Sequence, residues 1–299
     1  MKVLVTGGSG FVGASLKKIR PDWHYISSKD YDLTSAYQTR GAIRDHRNLD
    51  AIIHLAGRVG GVKENALNQA EFIQQNLMIN TNIIHEAYCE GVPRVLSSLS
   101  TCIFPENIQN FPFVEEDMHS GPPPVSNFSY GYAKRCLQVM TNAYRQQYNV
   151  NYSTFTPSNL YGPGDNFDLE SSHFVAAMIR KIYHSKDGGN IEFWGTGQPM
   201  RQQLFVEDLA TLIPVLLDKH NSPEPIIIAP DENLTIKEMI DICLKISGKS
   251  VEYNFNGKHE GQVRKDGSNK KLLSLVGDYD FTSFENGLRK TYEWYKGTR

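Results

Sequence analysis

A glycine-rich turn near the start of the chain constrains the fold more than any other segment. The run VTGGSGFVG, residues 5–13, follows a β-branched segment, Lys2–Thr6, and opens a helical pattern, Phe11–Ile19. Glycines at this spacing between a strand and a helix allow a tight turn. Its backbone N–H groups and the helix N-terminus can hold a pyrophosphate. The run therefore predicts a dinucleotide-binding α/β fold rather than a glycine-rich turn without a ligand.

The first half of the chain alternates short apolar runs with helical patterns. The predicted strands are Lys2–Thr6, Tyr25–Ser27, Ala51–Leu55 and Arg94–Ser98, and the predicted helices are Phe11–Ile19, Phe72–Glu90 and Tyr130–Tyr148. Strands with continuous apolar runs are typical of a parallel sheet that helices cover on both faces. We therefore predict an α/β fold, a doubly wound parallel Rossmann sheet with a smaller mixed α/β lobe on its C-terminal side.

The domain organisation is expected to be interleaved. The proline-rich stretch Phe104–Ser129 predicts a long ordered loop or lid. We expect residues 1–160 to form the nucleotide-binding domain, with returns near 204–230, and residues 161–299 to form mainly the substrate-binding lobe. Within these ranges, Asn149–Pro157 and Leu204–Lys219 are predicted to return to the main sheet.

Composition argues against several classes of protein. A formal net charge of −2 lacks the basic footprint of a nucleic-acid binder. The cysteines show no paired spacing, which disfavours a disulfide framework or a metal site and favours a reducing compartment; they are Cys89, Cys102, Cys136 and Cys243. The N-terminus enters a strand directly, and no apolar run approaches the roughly 20 residues of a membrane span. We expect a cytoplasmic protein with no nucleic-acid, metal or membrane partner.

The end of the second strand bears on the choice of cofactor. An acidic residue that would bind a ribose 2′-hydroxyl is missing there, where Ser28 and Lys29 stand instead. A serine and a lysine suit a 2′-phosphate, so NADPH is expected, although Lys29 could equally be a solvated surface residue. The expected cofactor contacts in this half of the chain are Gly7, Gly8, Ser9, Gly10, Phe11, Val12, Gly13, Ser28, Lys29, Asp32, Leu55 and Ala56.

A tyrosine and a lysine four residues apart form the candidate reduction site. Tyr130 and Lys134 lie on one face of the predicted helix. With a cofactor ribose close by, the ammonium is expected to lower the pKa of the phenol, so that Tyr130 exchanges a proton with a carbonyl oxygen during hydride transfer. Ser100 follows a neighbouring strand and is the candidate to hydrogen-bond the same oxygen. Tyr132 is a competitor without the four-residue spacing to Lys134. Alone, such a pair is more often a surface feature.

Several segments resemble the GDP-L-fucose synthase family of extended short-chain dehydrogenases. Among them are IIHLAGRVGGV, LSSLSTCIFPE, GPPPVSNFSYGYAKR, NLYGPGDNF and WGTGQPMRQQLFVEDLA. The likeness covers nearly the whole chain. It implies an enzyme that inverts C3 and C5 of GDP-4-keto-6-deoxy-D-mannose and reduces its C4 ketone with NADPH, giving GDP-L-fucose. It also implies a homodimer formed through two long helices, near residues 72–90 and 130–148.

The resemblance assigns roles to individual residues. Cys102 matches the base and His173 the acid of the inversion steps. The implied substrate contacts are Ser100, Asn159, Lys181, Trp194, Arg201 and Lys265, and the implied further cofactor contacts are Tyr130, Lys134, Asn159 and His173. Solvated surface charge is the competing interpretation for Lys265 and, less strongly, for Arg201. Gly164 departs from the family pattern, which has histidine there.

The same residues bear on other activities that this scaffold supports. A 4,6-dehydratase is disfavoured because Cys102 and Ile103 stand where that class has Asp-Glu, and a C4 epimerase would not use Cys102 with His173. A non-catalytic NADP(H) sensor is disfavoured because Tyr130 and Lys134 are both retained. A 4-reductase, or an epimerase–reductase of a related GDP-deoxy-ketosugar of the colitose type, stays open.

Overall fold

The computed structural model of the chain describes residues 1–258 and 262–299. Its strands are β1 (Val3–Thr6), β2 (His24–Ile26), β3 (Ala51–His54), β4 (Arg94–Ser98), β5 (Asn151–Pro157), β6 (Asn159–Tyr161), β7 (Asn190–Phe193), β8 (Met200–Arg201), β9 (Gln203–Phe205), β10 (Ile226–Ile228), β11 (Leu234–Thr235), β12 (Glu252–Phe255) and β13 (Arg264–Lys265). Its helices are α1 (Phe11–Ile19), α2 (Ala36–Asp45), α3 (Val62–Leu67), α4 (Gln69–Cys89), α5 (Phe128–Tyr148), α6 (Phe174–His184), α7 (Val206–Lys219), α8 (Ile236–Ser247), α9 (Lys270–Val276) and α10 (Phe284–Gly297).

Six parallel strands form the central sheet, in the order β10-β5-β4-β3-β1-β2. The strand order reverses beside β1, because β2 lies on one side of it and β3 on the other. In open α/β sheets a ligand crevice lies at the carboxyl ends of the strands where this reversal occurs. The doubly wound parallel sheet predicted from the sequence is confirmed, and it directs the search for a site to this edge.

Alternate residues of the central strands enter two separate apolar layers. Leu4 and Ile52 join the layer that includes Leu137 of α5, whereas Val5 and Ile53 join the layer that includes the apolar residues of α7. This alternation is the period-two pattern of a strand. Helices cover both faces of the sheet, so every residue of β1 and β3 is buried, which explains their continuous apolar runs in the sequence.

A third apolar cluster forms the core of the smaller lobe. It joins α6, α8 and α10 to the parallel pair β7 and β12, through residues such as Ile179, Phe193 and Ile240. Two further small sheets, β6 with β9 and β11-β8-β13, carry the chain between this lobe and the central sheet. The division at residue 160 stays a prediction.

The two predicted returns to the main sheet are made by different kinds of element. Asn151–Pro157 does join the sheet as β5, but Gln203–Phe205 pairs with Asn159–Tyr161 instead. The return is made by α7, which packs against α1, and by β10, which pairs with β5. The segment between β4 and α5 is a loop with short 3₁₀ turns, as its prolines predict. Among the described residues, none of the helices has the length and apolar character needed to cross a membrane.

Candidate active site

A cleft of about 2330 Å³ runs along the carboxyl edge of the central sheet, between that edge and the smaller lobe. Every site residue predicted from the sequence lines this cleft, with the exceptions of Gly8 and Lys29. Gly8 instead packs against β2, where an added Cβ would lie 2.7 Å from the Cβ of Tyr25. The fold therefore brings together residues that are far apart in the chain.

The glycine turn forms a cradle that side chains would fill. Gly7 has a φ of +70°, and an added Cβ would lie 2.9 Å from the backbone nitrogen of Ala56. A Cβ on Gly13 would collide with the carbonyl oxygen of Gly7. The N-terminus of α1 begins at Phe11 directly above this cradle. A bare backbone beside a helix N-terminus fits the diphosphate of a dinucleotide.

The expected contacts beyond β2 are only partly present. Ser28 lines the cleft, whereas Lys29 is exposed and lies outside it. Ser27 donates from its N–H and from its hydroxyl to the Asp30 carboxylate, and these two hydrogen bonds close a tight turn that directs Lys29 away from the cleft. Ser27 itself lines the cleft and was not singled out by sequence. Asp32 also lines it, and its carboxylate accepts hydrogen bonds from the N–H and hydroxyl of Thr34, which lower its pKa.

The tyrosine and lysine of α5 are both buried beside Ser100. Lys134 Nζ donates to the carbonyl oxygen of Ser98 at 2.8 Å and lies 6.0 Å from the Tyr130 ring centroid. Burial lowers the pKa of Lys134 to about 8. Burial also raises the pKa of Tyr130 above its ordinary range, and a hydrogen bond with Ser100 opposes that rise. Desolvation of the phenolate is thus the largest effect among the protein's own groups, and the lowering expected with a cofactor ribose at close range stays a prediction.

Cys102, Lys265 and His173 form a second cluster in the same cleft. A short 3₁₀ turn holds Cys102 beside Ser100, whose hydroxyl oxygen accepts from the Cys102 N–H at 3.3 Å. Lys265 Nζ lies 3.6 Å from Cys102 Sγ. His173 is the N-cap residue of α6, and desolvation by the cleft walls, followed by the positive charge of Lys265, lowers its pKa. Lys265 therefore contacts Cys102 directly and acts on His173 through its charge, which its sequence position did not predict.

The remaining predicted substrate contacts line the part of the cleft formed by the smaller lobe. Lys181 donates to the carbonyl oxygen of Glu192 at 2.8 Å, and burial lowers its pKa. Trp194 is 58% exposed, and Arg201 donates to the carbonyl oxygen of Met200. Asn159 begins β6 at the boundary with the central sheet. The exposed indole can stack on the base of a nucleotide, and the two cations can bind its diphosphate.

Arg58 and Asp165 also line the cleft and were not identified from the sequence. Arg58 follows β3, and the position directly after a parallel strand was the signal that could have found it. Asp165 lies in the loop after β6, where burial raises its pKa to about 7 and its Oδ1 accepts from the N–H of Asn166 at 2.7 Å. Nothing in the local sequence indicates that this carboxyl is buried.

Comparisons with known proteins point to one family. Residues 3–229 match the model of the NAD dependent epimerase/dehydratase family. The chain is 36% identical to a probable GDP-L-fucose synthase of Drosophila melanogaster, across 98% of this chain and 97% of that protein. It is 34% identical to a GDP-L-fucose synthase of Dictyostelium discoideum, across 98% and 94%. The structure of a GDP-L-fucose synthetase of Naegleria fowleri bound to NADP superposes with a TM-score of 0.91 at 29% identity, across 99% and 94%.

Proposed function

The chain belongs to the NAD dependent epimerase/dehydratase family, and we propose that it converts GDP-4-keto-6-deoxy-D-mannose to GDP-L-fucose with NADPH. The observation that carries this proposal is the presence of two different catalytic clusters in one cleft. Ser100, Tyr130 and Lys134 form a reduction site, and Cys102 and His173 form an acid–base pair beside it. A reductase that did not invert its substrate would have no use for the second cluster. The curated relatives named as GDP-L-fucose synthases support the choice of substrate.

The described residues fit a dinucleotide cofactor. The cradle of Gly7 and Gly13 and the N-terminus of α1 would hold its diphosphate, and Ser28 would face the 2′-phosphate. Leu55 and Ala56 close the cradle from β3. NADPH supplies the hydride that reduces the ketone carbon.

Inversion at C3 and C5 is chemically accessible because both carbons adjoin the C4 ketone, which acidifies their protons. Cys102 is proposed to remove a proton from one face of the sugar, and His173 to return one to the other. The Lys265 Nζ lies 3.6 Å from the Cys102 sulfur, so a cation stands beside the proposed base. Desolvation, and then the positive charge of Lys265, lowers the pKa of His173, so its imidazolium is a stronger acid than that of a free histidine, although a smaller share of the protein carries it.

Reduction requires a proton for the ketone oxygen as hydride reaches C4. Tyr130 is proposed to donate that proton, with Ser100 hydrogen-bonded to the same oxygen. The raised pKa of Tyr130 suits this direction, because a donor must hold its proton until negative charge forms on the oxygen. The Lys134 ammonium, buried beneath the site, stabilises the phenolate that remains.

We also propose that the chain forms a homodimer through α4 and α5. These two helices pack against each other along the sheet, and their outer faces expose Met78 and Val139, with Val139 54% exposed. The resemblance to a family that dimerises through two long helices supports the proposal, and these exposed apolar residues are compatible with such an interface. Sedimentation equilibrium would test this: a mass near 34 kDa rather than twice that value would contradict it.

A cytoplasmic location is proposed on the state of the cysteines. All four are free, and Cys89 and Cys136 are exposed. Exposed thiols persist most readily in a reducing compartment. Fractionation of the source cells with an antibody against the protein would test this, and recovery outside the cytoplasmic fraction would contradict it.

The proposed activity is tested by mixing purified protein with GDP-4-keto-6-deoxy-D-mannose and NADPH. Loss of reduced-nicotinamide absorbance with GDP-L-fucose as the product is expected. Consumption that gives an un-inverted 6-deoxy sugar would keep the reductase and contradict the epimerase. No consumption would move the substrate to another nucleotide sugar and direct attention to the loop around Gly164, which departs from the family pattern.

A further inference from the structure

Arg58 is a lining residue to which no role has been assigned. It stands in the loop directly after β3, two residues beyond Ala56, whose backbone lies against Gly7 of the cradle. The loop therefore passes from the floor of the expected cofactor site towards its nicotinamide end. We propose that Arg58 binds the diphosphate of the dinucleotide cofactor. This inference rests on the proposed use of NADPH.

The backbone of Arg58 is held in a fixed place. Asn76 of α4 is fully buried, and its Oδ1 accepts from the Arg58 N–H at 3.0 Å while its Nδ2 donates to the Arg58 carbonyl oxygen at 3.1 Å. Asn76 Nδ2 also donates to the carbonyl oxygen of Phe72, one helical turn earlier. A buried amide that bonds both the N–H and the carbonyl of one residue fixes the backbone of that residue.

The guanidinium group is directed along the cleft wall. Its Cζ lies 4.7 Å from the centroid of the Phe72 ring, which is fully buried and packs edge-on to Tyr130 at 6.5 Å. Nη1 donates to Gln75 Oε1 at 3.5 Å, and Gln75 also lines the cleft. The contact with Phe72 therefore holds the guanidinium group over a ring that packs against Tyr130, while the preceding residue, Gly57, lies close to Lys134.

The present charge partner of Arg58 is weakly bound. Glu64 Oε1 lies 3.6 Å from Nη2, and both side chains are about 30% exposed, at 27% and 31%. At that distance the pair is an ion pair without a short hydrogen bond. A guanidinium group offers five N–H donors in a planar fork, which matches two phosphate oxygens better than one distant carboxylate. A diphosphate therefore competes effectively with Glu64 for Arg58.

The distribution of positive charge favours the cofactor over the sugar nucleotide as the ligand. Among the described residues, the other cations that line the cleft are Lys134, Lys181, Arg201, Arg264 and Lys265. All but Lys134 come from the smaller lobe, and Lys134 is bonded to the Ser98 carbonyl beneath Tyr130. Within the part of the chain that the structure describes, the cradle offers backbone N–H groups, the helix N-terminus and the hydroxyl of Ser9, but no cationic side chain. Arg58 is thus the cation placed to neutralise a diphosphate on the side of the cradle.

Equilibrium binding of NADP⁺ to Arg58→Gln tests the inference. Loss of a charge-assisted contact is expected to weaken NADP⁺ binding by about 10- to 100-fold and to reduce the dependence of the dissociation constant on salt. Adenosine 2′-monophosphate, which lacks the diphosphate bridge, and GDP are expected to bind as they do to the unaltered protein. Arg44→Gln is the matched control, because Arg44 pairs with Glu90 on the surface and lies outside the cleft.

Glu64→Gln supplies a test in the opposite direction. Removal of the competing carboxylate is expected to tighten NADP⁺ binding severalfold, a gain that a misfolded protein could not show. Unchanged NADP⁺ affinity in Arg58→Gln would overturn the inference, as would a loss confined to GDP or a loss shared equally by adenosine 2′-monophosphate. Failure of the unaltered protein to bind NADP⁺ would instead contradict the proposed function itself.

Discussion

Replacement of the buried Lys134 by methionine is expected to stabilise the fold while it abolishes reduction. Lys134 is 3% exposed, and burial lowers its pKa from 10.5 to about 8. At about 1.4 kcal/mol for each pKa unit, burial of the ammonium costs about 3 kcal/mol at pH 7. Methionine has a similar length, but the Ser98 carbonyl loses its partner, at a cost of about 1–2 kcal/mol. The free energy of unfolding of Lys134→Met is therefore expected to be about 1–2 kcal/mol higher than that of the unaltered protein.

The pH dependence of this difference identifies its cause. Unfolded Lys134 keeps its proton up to about pH 10.5, whereas the folded protein releases it near pH 8. Between these values the unfolded state binds more protons, so the stability of the unaltered protein rises with pH. The advantage of Lys134→Met is therefore present in full below pH 8 and declines as the pH rises towards 10.5. Other titrating groups are common to both proteins and cancel in the difference.

Urea denaturation without added nucleotide, at pH 7 and at pH 9.5, measures both quantities. A variant that is no more stable than the unaltered protein at pH 7 would refute the reasoning, as would a difference that does not shrink at pH 9.5. Steady-state assays of the same preparations are expected to show no hydride transfer in Lys134→Met. Together these results would show that the ammonium is retained for chemistry at the expense of stability.

Three further predictions follow from the same contacts. Cys102→Ser is expected to cripple inversion and leave ketone reduction at least partly intact, so that an un-inverted alcohol accumulates in product analysis; GDP-L-fucose formed at the normal rate would show that the base is elsewhere. Tyr130→Phe is expected to stop NADPH oxidation and leave NADP⁺ affinity within about twofold, which binding titrations would check. Arg94→Met is expected to lower the free energy of unfolding by about 2–4 kcal/mol even though burial lowers the pKa of Arg94 to about 10, because Ser153 Oγ and five backbone carbonyls lose the donor that Arg94 provides, whereas Lys134 has one such acceptor; an unchanged urea midpoint would contradict this.

The nucleotide-binding half could be predicted because its signals are local. The glycine turn lies between a strand and a helix that are adjacent in the chain, and α1 spans the residues that its periodicity indicates. The four-residue spacing of Tyr130 and Lys134 likewise needs only helix geometry. In these segments the backbone conformation and the neighbouring residues in the chain determine the local structure.

Other features depend on contacts between distant segments and could not be predicted. Lys265 meets Cys102 across a separation of 163 residues, through the position of β13. Lys29 has the charge expected for a phosphate contact, but the hydrogen bonds of Ser27 to Asp30 turn it outward. The pKa of Tyr130 depends on burial by the whole fold, which the sequence of α5 does not contain. Charge and spacing in the sequence identify candidate site residues, whereas burial and hydrogen-bond partners in the fold determine their pKa values and contacts.

The central claim is that one cleft performs both inversion and reduction, and a single-sample isotope measurement tests it most directly. The protein is supplied with GDP-4-keto-6-deoxy-D-mannose and NADPH in D₂O, and the product is examined by NMR. Each inversion replaces a carbon-bound proton with one from solvent, so GDP-L-fucose with deuterium at C3 and C5 and hydrogen at C4 is predicted. A reduced product without deuterium at C3 and C5 would contradict the claim and leave only the reductase.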